Sequence, residues 1–144
     1  MKSRKGFTLV ELMVVILIVA ILAAVAIPIL RGRIEAAKWA EGRSMMGSIA
    51  TSIRAYCAEQ GVGNTPVTTP SGTLPDTVLG FVAGDCDGTY FADADFTYTI
   101  VTAPITSPPQ FTVTCTPAVR TNAPTTPAAY TLTGNADGTT TWSP

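Results

Sequence analysis

The feature that most constrains this chain is a long apolar run near its start. Residues 7–30 read FTLVELMVVILIVAILAAVAIPIL, and Glu11 is the only formal charge among these 24 residues. As an α-helix the run would be about 36 Å long, which is enough to cross a bilayer core of about 30 Å. Residues 7–30 are therefore predicted to form a transmembrane helix.

Basic residues precede the apolar run at Lys2, Arg4 and Lys5. Short segments rich in Lys and Arg stay on the cytoplasmic side of a membrane. We therefore expect a single-pass orientation in the inner membrane, in which everything after Leu30 lies outside.

Two ordinary interpretations of the run leave Glu11 unexplained. Ala24-Val25-Ala26 offers a site for signal peptidase, but the run is longer than the usual apolar region of about 7–15 residues and contains a carboxylate. A plain single-pass anchor needs no carboxylate in its apolar segment either. Both interpretations stay open at this point.

Glu11 needs a cationic partner, because an unpaired carboxylate within a membrane helix costs roughly 2.5–3.5 kcal/mol. Residues 7–30 contain no Lys or Arg. A cut between Gly6 and Phe7 would create a cationic α-amino group four residues before Glu11. If that amine belonged to a neighbouring subunit, the pair would fix the register of two packed helices.

Residues 4–12, RKGFTLVEL, resemble the leader and cleavage motif of type IV prepilins and type II secretion pseudopilins. The resemblance extends from Met1 to about Pro28. It implies that a membrane-embedded prepilin peptidase removes residues 1–6 by cutting after Gly6 and methylates the amine of Phe7. It also implies that inner-membrane assembly machinery builds the subunits into a filament whose core consists of the N-terminal helices.

The helix is predicted to continue from Phe7 to about Gln60, because residues 31–60 are amphipathic. Pro28 lacks an N–H group and its ring clashes with the carbonyl of Ala24, which predicts a kink or loosening over residues 24–28. The resemblance implies that this segment unwinds locally in the filament. The apolar stripe comprises Met45, Met46, Ile49, Ile53, Tyr56 and Cys57.

Residues 62–144 differ sharply in composition from the helical part. They contain 21 threonines and ten of the eleven prolines, which favour strands, turns and loops. Residues 62–84 and 103–110 are predicted to be irregular. Four alternating segments are predicted to form an antiparallel sheet packed on the helical stripe, which gives an α+β fold: residues 96–102, 111–115, 130–133 and 139–142.

Composition also argues against whole classes of function. The chain has no histidine and only 13% charged residues, so we expect neither catalysis nor a cofactor. After residue 54, Arg120 is the only basic residue against seven acidic ones. We therefore expect no direct binding of nucleic acid.

The three cysteines allow at most one internal disulfide bond in an oxidising compartment. We favour Cys86–Cys115, which would join a loop to a strand, with Cys57 buried between helix and sheet. Cys57–Cys86 is the alternative, and sequence alone does not decide between them.

Four aspartates, Asp85, Asp87, Asp93 and Asp95, are the nearest approach to a metal site. Closely spaced carboxylates beside a glycine suit Ca²⁺, and the resemblance adds that some type II pseudopilins bind calcium. The spacing does not fit an EF-hand loop, which also needs a distal Glu. We therefore predict solvated turn residues and no metal, with calcium as the minor alternative.

Together these features predict a structural protein, a pilin that polymerises with copies of itself into a type IV pilus-like filament. The subunit would lie in membrane lipid before assembly and in an extracellular filament afterwards. A type II secretion pseudopilin is the alternative, although no Pro-Trp-Gly calcium-loop segment is evident. A monomeric membrane-anchored binding domain that keeps residues 1–6 is the alternative of another class.

Overall fold

The computed structural model describes residues 6–60, 71–102 and 108–144. The chain divides into two compact units, Met1–Ala36 and Ala37–Pro144. The elements in chain order are α1 (Leu9–Gln60), β1 (Ser71–Thr73), a 3₁₀ turn (Asp93–Asp95), β2 (Phe96–Thr102), β3 (Gln110–Cys115), β4 (Tyr130–Gly134) and β5 (Thr140–Ser143). The α+β class predicted from the sequence is confirmed.

The first unit consists of the N-terminal part of α1, which begins at Leu9 rather than at the predicted Phe7. The helical assignment runs through Pro28 without interruption. Among the described residues, α1 is the one helix long and apolar enough to cross a membrane. Its large apolar side chains are exposed throughout residues 7–30, as a membrane or assembly segment requires.

In the second unit, one face of α1 is buried in an apolar core. Met46, Ile49, Ile53 and Cys57 are buried as the spacing predicts, while Met45 and Tyr56 pack partly buried against them. Two further helix residues, Trp39 and Ala50, also belong to this core and lie outside the predicted stripe.

The sheet is a five-stranded antiparallel meander in which each strand pairs with its neighbour in sequence. The four predicted strands are present with bounds shifted by a residue or so. The fifth strand, β1, falls within the segment predicted to be irregular. The side chains on the buried face are those of Phe96, Tyr98, Ile100, Phe111, Val113, Cys115 and Leu132.

Aromatic contacts tie the helix to the sheet within this unit. The ring of Trp39 meets Tyr130 edge-on, with 4.7 Å between centroids. The guanidinium groups of Arg43 and Arg54 lie 5.4 and 5.2 Å from the ring centroids of Tyr130 and Phe111. These cation–π contacts cover the edges of a core from which water is excluded.

The turn between the last two strands is a tight hairpin loop. Gly138 adopts a left-handed conformation with φ of 84°, which glycine does without steric cost. Asp137 accepts hydrogen bonds from the backbone N–H and the hydroxyl of Thr139, and these bonds lower the pKa of Asp137.

Candidate functional site

The N-terminal end of α1 holds the residues that the sequence analysis singled out for processing and assembly. Gly6, Phe7 and Thr8 precede the helix in non-helical conformation, and the side chain of Phe7 is 78% exposed. The peptide bond between Gly6 and Phe7 therefore lies in an exposed, non-helical segment immediately before the first helical turn.

Glu11 lies in the first turn of α1 and forms a capping box with Thr8. The backbone N–H and the hydroxyl of Thr8 donate to Oε2 of Glu11, at 2.9 and 2.8 Å. In return, the N–H of Glu11 donates to Oγ1 of Thr8 at 3.3 Å. This reciprocal arrangement satisfies donors at the helix start that have no intrahelical acceptor.

The capping box explains why the helix begins two residues later than predicted. Thr8 occupies the N-cap position, which threonine favours because its side-chain oxygen replaces a helical carbonyl. The sequence carried this signal as Thr-x-x-Glu over residues 8–11, but the carboxylate was interpreted only as the partner of an amine. Glu11 thus has a local partner in the uncut chain as well.

Pro28 removes one hydrogen-bond donor from the middle of the apolar segment. Because it has no N–H, the carbonyl of Ala24 has no donor four residues along the helix. Nothing in the described chain covers this segment, since the side chains of residues 24–32 are exposed. The kink or loosening over residues 24–28 stays a prediction.

The three cysteines are free thiols in this structure, and all three are buried in the second unit. Cys57 lies between helix and sheet, as expected. Burial raises the pKa of the Cys86 thiol to about 11, helped by Asp93, Asp85 and Asp87. Burial raises that of Cys115 to about 12, helped by Asp95.

The aspartates considered for calcium accept hydrogen bonds from backbone N–H groups. Asp93 accepts from Gly84 and Cys86 at 2.6 and 2.8 Å, and Asp85 accepts from Val82 at 2.9 Å. The described residues contain no group of three His, Cys, Asp or Glu side chains placed to hold a metal ion. The calcium alternative therefore lacks a convergent donor set in this part of the chain.

Two of these aspartates also hold loops together. Asp87 accepts from the N–H of Asp93 at 3.0 Å and lies 3.4 Å from the guanidinium of Arg120. Asp95 is only 3% exposed, although it was predicted to be a solvated turn residue. Its carboxylate accepts from the N–H groups of Ala92, Ala118 and Val119 at 2.9–3.1 Å, which compensates for its burial.

Comparison with known proteins finds a family model that matches the N-terminal segment and several curated relatives that match part of the chain. Residues 1–27 match the family described as "Prokaryotic N-terminal methylation motif". A fimbrial protein of Dichelobacter nodosus is 40% identical over 95 residues, which cover 64% of this chain and 59% of that protein. No solved structure matches the chain.

Two further relatives also match part of the chain. The type IV major alpha-pilin of Moraxella bovis is 33% identical over 85 residues, 59% of this chain and 52% of that protein. Fimbrial protein EcpB of Eikenella corrodens is 38% identical over 71 residues, 49% of this chain and 43% of that protein. The matches span about a third to three fifths of the length of these and other curated relatives.

Proposed function

We propose that this type IV pilin-like chain is a structural subunit of an extracellular filament, held together by the N-terminal helices of many copies. The observation that carries the proposal is the exposed apolar segment of residues 7–30, with its capped carboxylate at Glu11. An exposed apolar surface of this length needs lipid or other apolar helices around it. The role is structural and calls for neither a catalytic residue nor a cofactor.

Processing in this proposal takes place at the exposed segment before α1. A prepilin peptidase cuts between Gly6 and Phe7 and methylates the new amine of Phe7. The match of residues 1–27 to the N-terminal methylation motif supports this step. Cleavage removes Lys2, Arg4 and Lys5, which hold the uncut N-terminus at the cytoplasmic face.

Glu11 sets the register of assembly in this proposal. Once residues 1–6 are removed, the amine of Phe7 is a cation, and the amine of one subunit pairs with the Glu11 carboxylate of the next. Pairing neutralises both charges inside an apolar helix bundle, where an unpaired charge is expensive. The pair therefore favours one axial offset between neighbouring helices over all others.

The subunit lies in the inner membrane before assembly, with its second unit outside, and the inner-membrane assembly machinery transfers it into the filament. The relatives named as fimbrial proteins and as a major pilin favour a pilus pilin over a secretion pseudopilin. The predicted disulfide bond belongs to this proposal as well, because the second unit reaches an oxidising compartment. Peptide mapping under non-reducing conditions distinguishes Cys86–Cys115 from Cys57–Cys86 and from free thiols.

The test combines mass spectrometry of the N-terminus with electron microscopy of sheared cell-surface filaments. We expect a mature chain that begins with methylated Phe7, and filaments that disappear in Glu11→Ala. Glu59→Ala is the matched control, because Glu59 is an exposed glutamate on the same helix, outside residues 7–30. An intact Met1 without filaments would favour the monomeric anchored domain, and normal filaments from Glu11→Ala would refute the role of Glu11.

A further inference from the structure

The outward face of the sheet has a side-chain composition that the filament role does not explain. On each of the five strands, two hydroxyl residues separated by one residue point away from the core. All ten residues are threonine or serine, and we call them the hydroxyl face: Ser71, Thr73, Thr97, Thr99, Thr112, Thr114, Thr131, Thr133, Thr141 and Ser143. Val101, the next exposed residue of β2, is not part of this face.

Strand register aligns the hydroxyl face into two rows that cross all five strands. The first row runs Ser71, Thr99, Thr112, Thr133, Thr141, and the second runs Thr73, Thr97, Thr114, Thr131, Ser143. Neighbours within a row are about 4.8 Å apart, and the two rows are separated by about 6.6 Å along the strands. The face thus repeats one chemical group, a hydroxyl, at regular intervals in two directions.

The hydroxyl face is open to solvent. Its residues on β1, β2 and β5 are exposed, and those on the central strands β3 and β4 are half-buried between their neighbours. One of its hydroxyls, that of Thr97, has a backbone partner within the sheet, the carbonyl of Thr114 at 3.5 Å.

The hydroxyl face carries no charge, although the unit around it does. Residues 37–144 contain eight acidic and four basic side chains, and none of the twelve lies on any of the five strands. Even the edge strands β1 and β5 lack the charged side chains that commonly protect sheet edges. A neutral hydroxyl surface can exchange hydrogen bonds with a neutral ligand without desolvating a charge, whereas it offers a polyanion no cation.

From this chemistry we propose that the hydroxyl face binds a neutral polysaccharide chain. A polysaccharide repeats hydroxyl donors and acceptors along its length, and a row of five protein hydroxyls can pair with several of them. An antiparallel sheet twists by roughly 20–25° per strand, so each row of hydroxyls is twisted as well. A flexible polysaccharide chain can follow such a row, whereas a flat crystal surface cannot contact it along its whole length. Binding by one subunit is weak, because each hydrogen bond replaces one to water, and a filament strengthens it by presenting many copies.

The test measures retention of the detergent-solubilised full-length chain on beads that carry hydroxyethyl cellulose, a neutral flexible polymer. We expect retention to be equal in about 0.05 M and about 0.5 M NaCl, since no charge takes part. Thr99→Val/Thr112→Val/Thr133→Val removes three neighbouring hydroxyls of one row while keeping side-chain shape and strand preference. Retention of this triple variant should fall about tenfold.

Two controls separate hydroxyl recognition from folding. The variant with serine at the same three positions keeps the hydroxyls and should be retained like the unmodified chain. Thr121→Val removes an exposed hydroxyl from a turn away from the strands and should also be retained. Thermal unfolding checks that all variants keep the fold of the second unit.

The remaining outcomes overturn the proposal. They are absence of retention, retention that falls with salt, equal retention of the triple valine variant, and loss in the serine variant. Binding to microcrystalline cellulose or ice but not to hydroxyethyl cellulose would assign the face to a crystalline surface instead. The measurement uses unassembled subunits, so its result does not depend on whether filaments form.

Discussion

At the scale of single residues, Glu11 has one partner in the structure and a second one in the proposed assembly. In the uncut chain its carboxylate accepts hydrogen bonds from Thr8 and caps the helix. After the proposed cleavage, an amine would lie one residue before Thr8. In the proposed assembly, the capping box supplies hydrogen bonds to the carboxylate before a cation is available, which would lower the cost of placing Glu11 in a membrane.

Replacing Thr8 tests the capping box directly. Thr8→Ala should destabilise the start of α1 by about 1 kcal/mol, because N-cap substitutions by alanine cost that much. Hydrogen exchange of the full-length chain in micelles should show faster exchange for the amides of residues 8–11. Thr8→Ser retains the hydroxyl and should exchange like the unmodified chain. Equal exchange in Thr8→Ala would mean that the capping box does not hold the helix start.

The buried thiols predict a loss of stability at alkaline pH. The pKa values of Cys86 and Cys115 rise from 9.0 to about 11 and about 12 on folding. Between pH 9.0 and about 12, the two thiols are deprotonated in the unfolded chain but still protonated in the folded chain. The free energy of unfolding therefore keeps its full value below pH 9.0 and declines as the pH rises toward about 12. Urea denaturation in the presence of reductant at several pH values measures this decline.

The matched control for the thiol effect is the double variant Cys86→Ala/Cys115→Ala. It should show a shallower decline above pH 9.0, with Tyr98 still contributing because burial and the hydrogen bond to Asp76 raise its pKa. An equally steep decline in this variant would assign the alkaline sensitivity to other groups.

At the scale of elements, the docking of loops and strands on α1 depends on small contacts. Gly42 on the helix faces the ring of Phe91, and a Cβ added at Gly42 would lie 2.7 Å from that ring. Glu41, one residue earlier, accepts the backbone N–H of Tyr90 at 2.9 Å. Two adjacent helix residues therefore fix the segment that precedes β2.

A pair of glycine substitutions separates packing from helix propensity. Gly47→Ala should stabilise the second unit by up to about 1 kcal/mol, because a Cβ at Gly47 meets open space and alanine favours helix. Gly42→Ala has the same propensity gain but must displace Phe91, so a net destabilisation of about 1–3 kcal/mol is expected. Chemical denaturation of both variants provides the comparison, and a stabilised Gly42→Ala would contradict the close packing.

Asp95 offers a second prediction at this scale, because it joins the 3₁₀ turn to the segment after β3. Asp95→Ala would leave the buried N–H group of Ala92 and the partly buried N–H groups of Ala118 and Val119 without this acceptor, which should cost about 2–4 kcal/mol. Asp137→Ala, on the exposed hairpin loop, should cost less than about 1 kcal/mol. Denaturant midpoints of the two variants test this difference.

How well the sequence predicts a strand depends on how many residues its alternation of apolar and polar side chains covers. Strands such as β2 alternate Phe96, Tyr98 and Ile100 with threonine, and that pattern identifies them. β1 has only three residues, Ser-Gly-Thr, with no apolar residue to mark a buried face, so its pairing with β2 had no local signal. Asp95 was missed for a related reason, since its burial depends on a segment more than 20 residues away.

At the scale of the whole molecule, two units with opposite surfaces share one helix. The first exposes apolar residues along its length, and the second buries its apolar residues beneath a polar sheet. The first surface is suited to lipid or to other copies of itself, and the second to water. This division allows substitutions in residues 7–30 to leave the folded second unit intact.

Pro28 predicts where α1 loses its helical hydrogen bonds when subunits pack in the proposed filament. In a filament map we expect a break or widening of the helix within residues 24–32, because the carbonyl of Ala24 has no helical donor. Pro28→Ala supplies that donor and should yield a continuous helix there. An unbroken, straight helix through residues 24–32 in the unmodified filament would contradict the prediction.

The order of the strands bears on how the second unit can acquire its structure during the proposed export. Each strand of the meander pairs with the one made just before it, so the sheet can grow by successive addition as the chain emerges. Contacts between segments close in sequence form quickly because little loop entropy is lost. If the chain is exported as proposed, the sheet can form while later strands are still emerging, whereas the apolar helix face that includes Trp39 stays exposed until the sheet covers it.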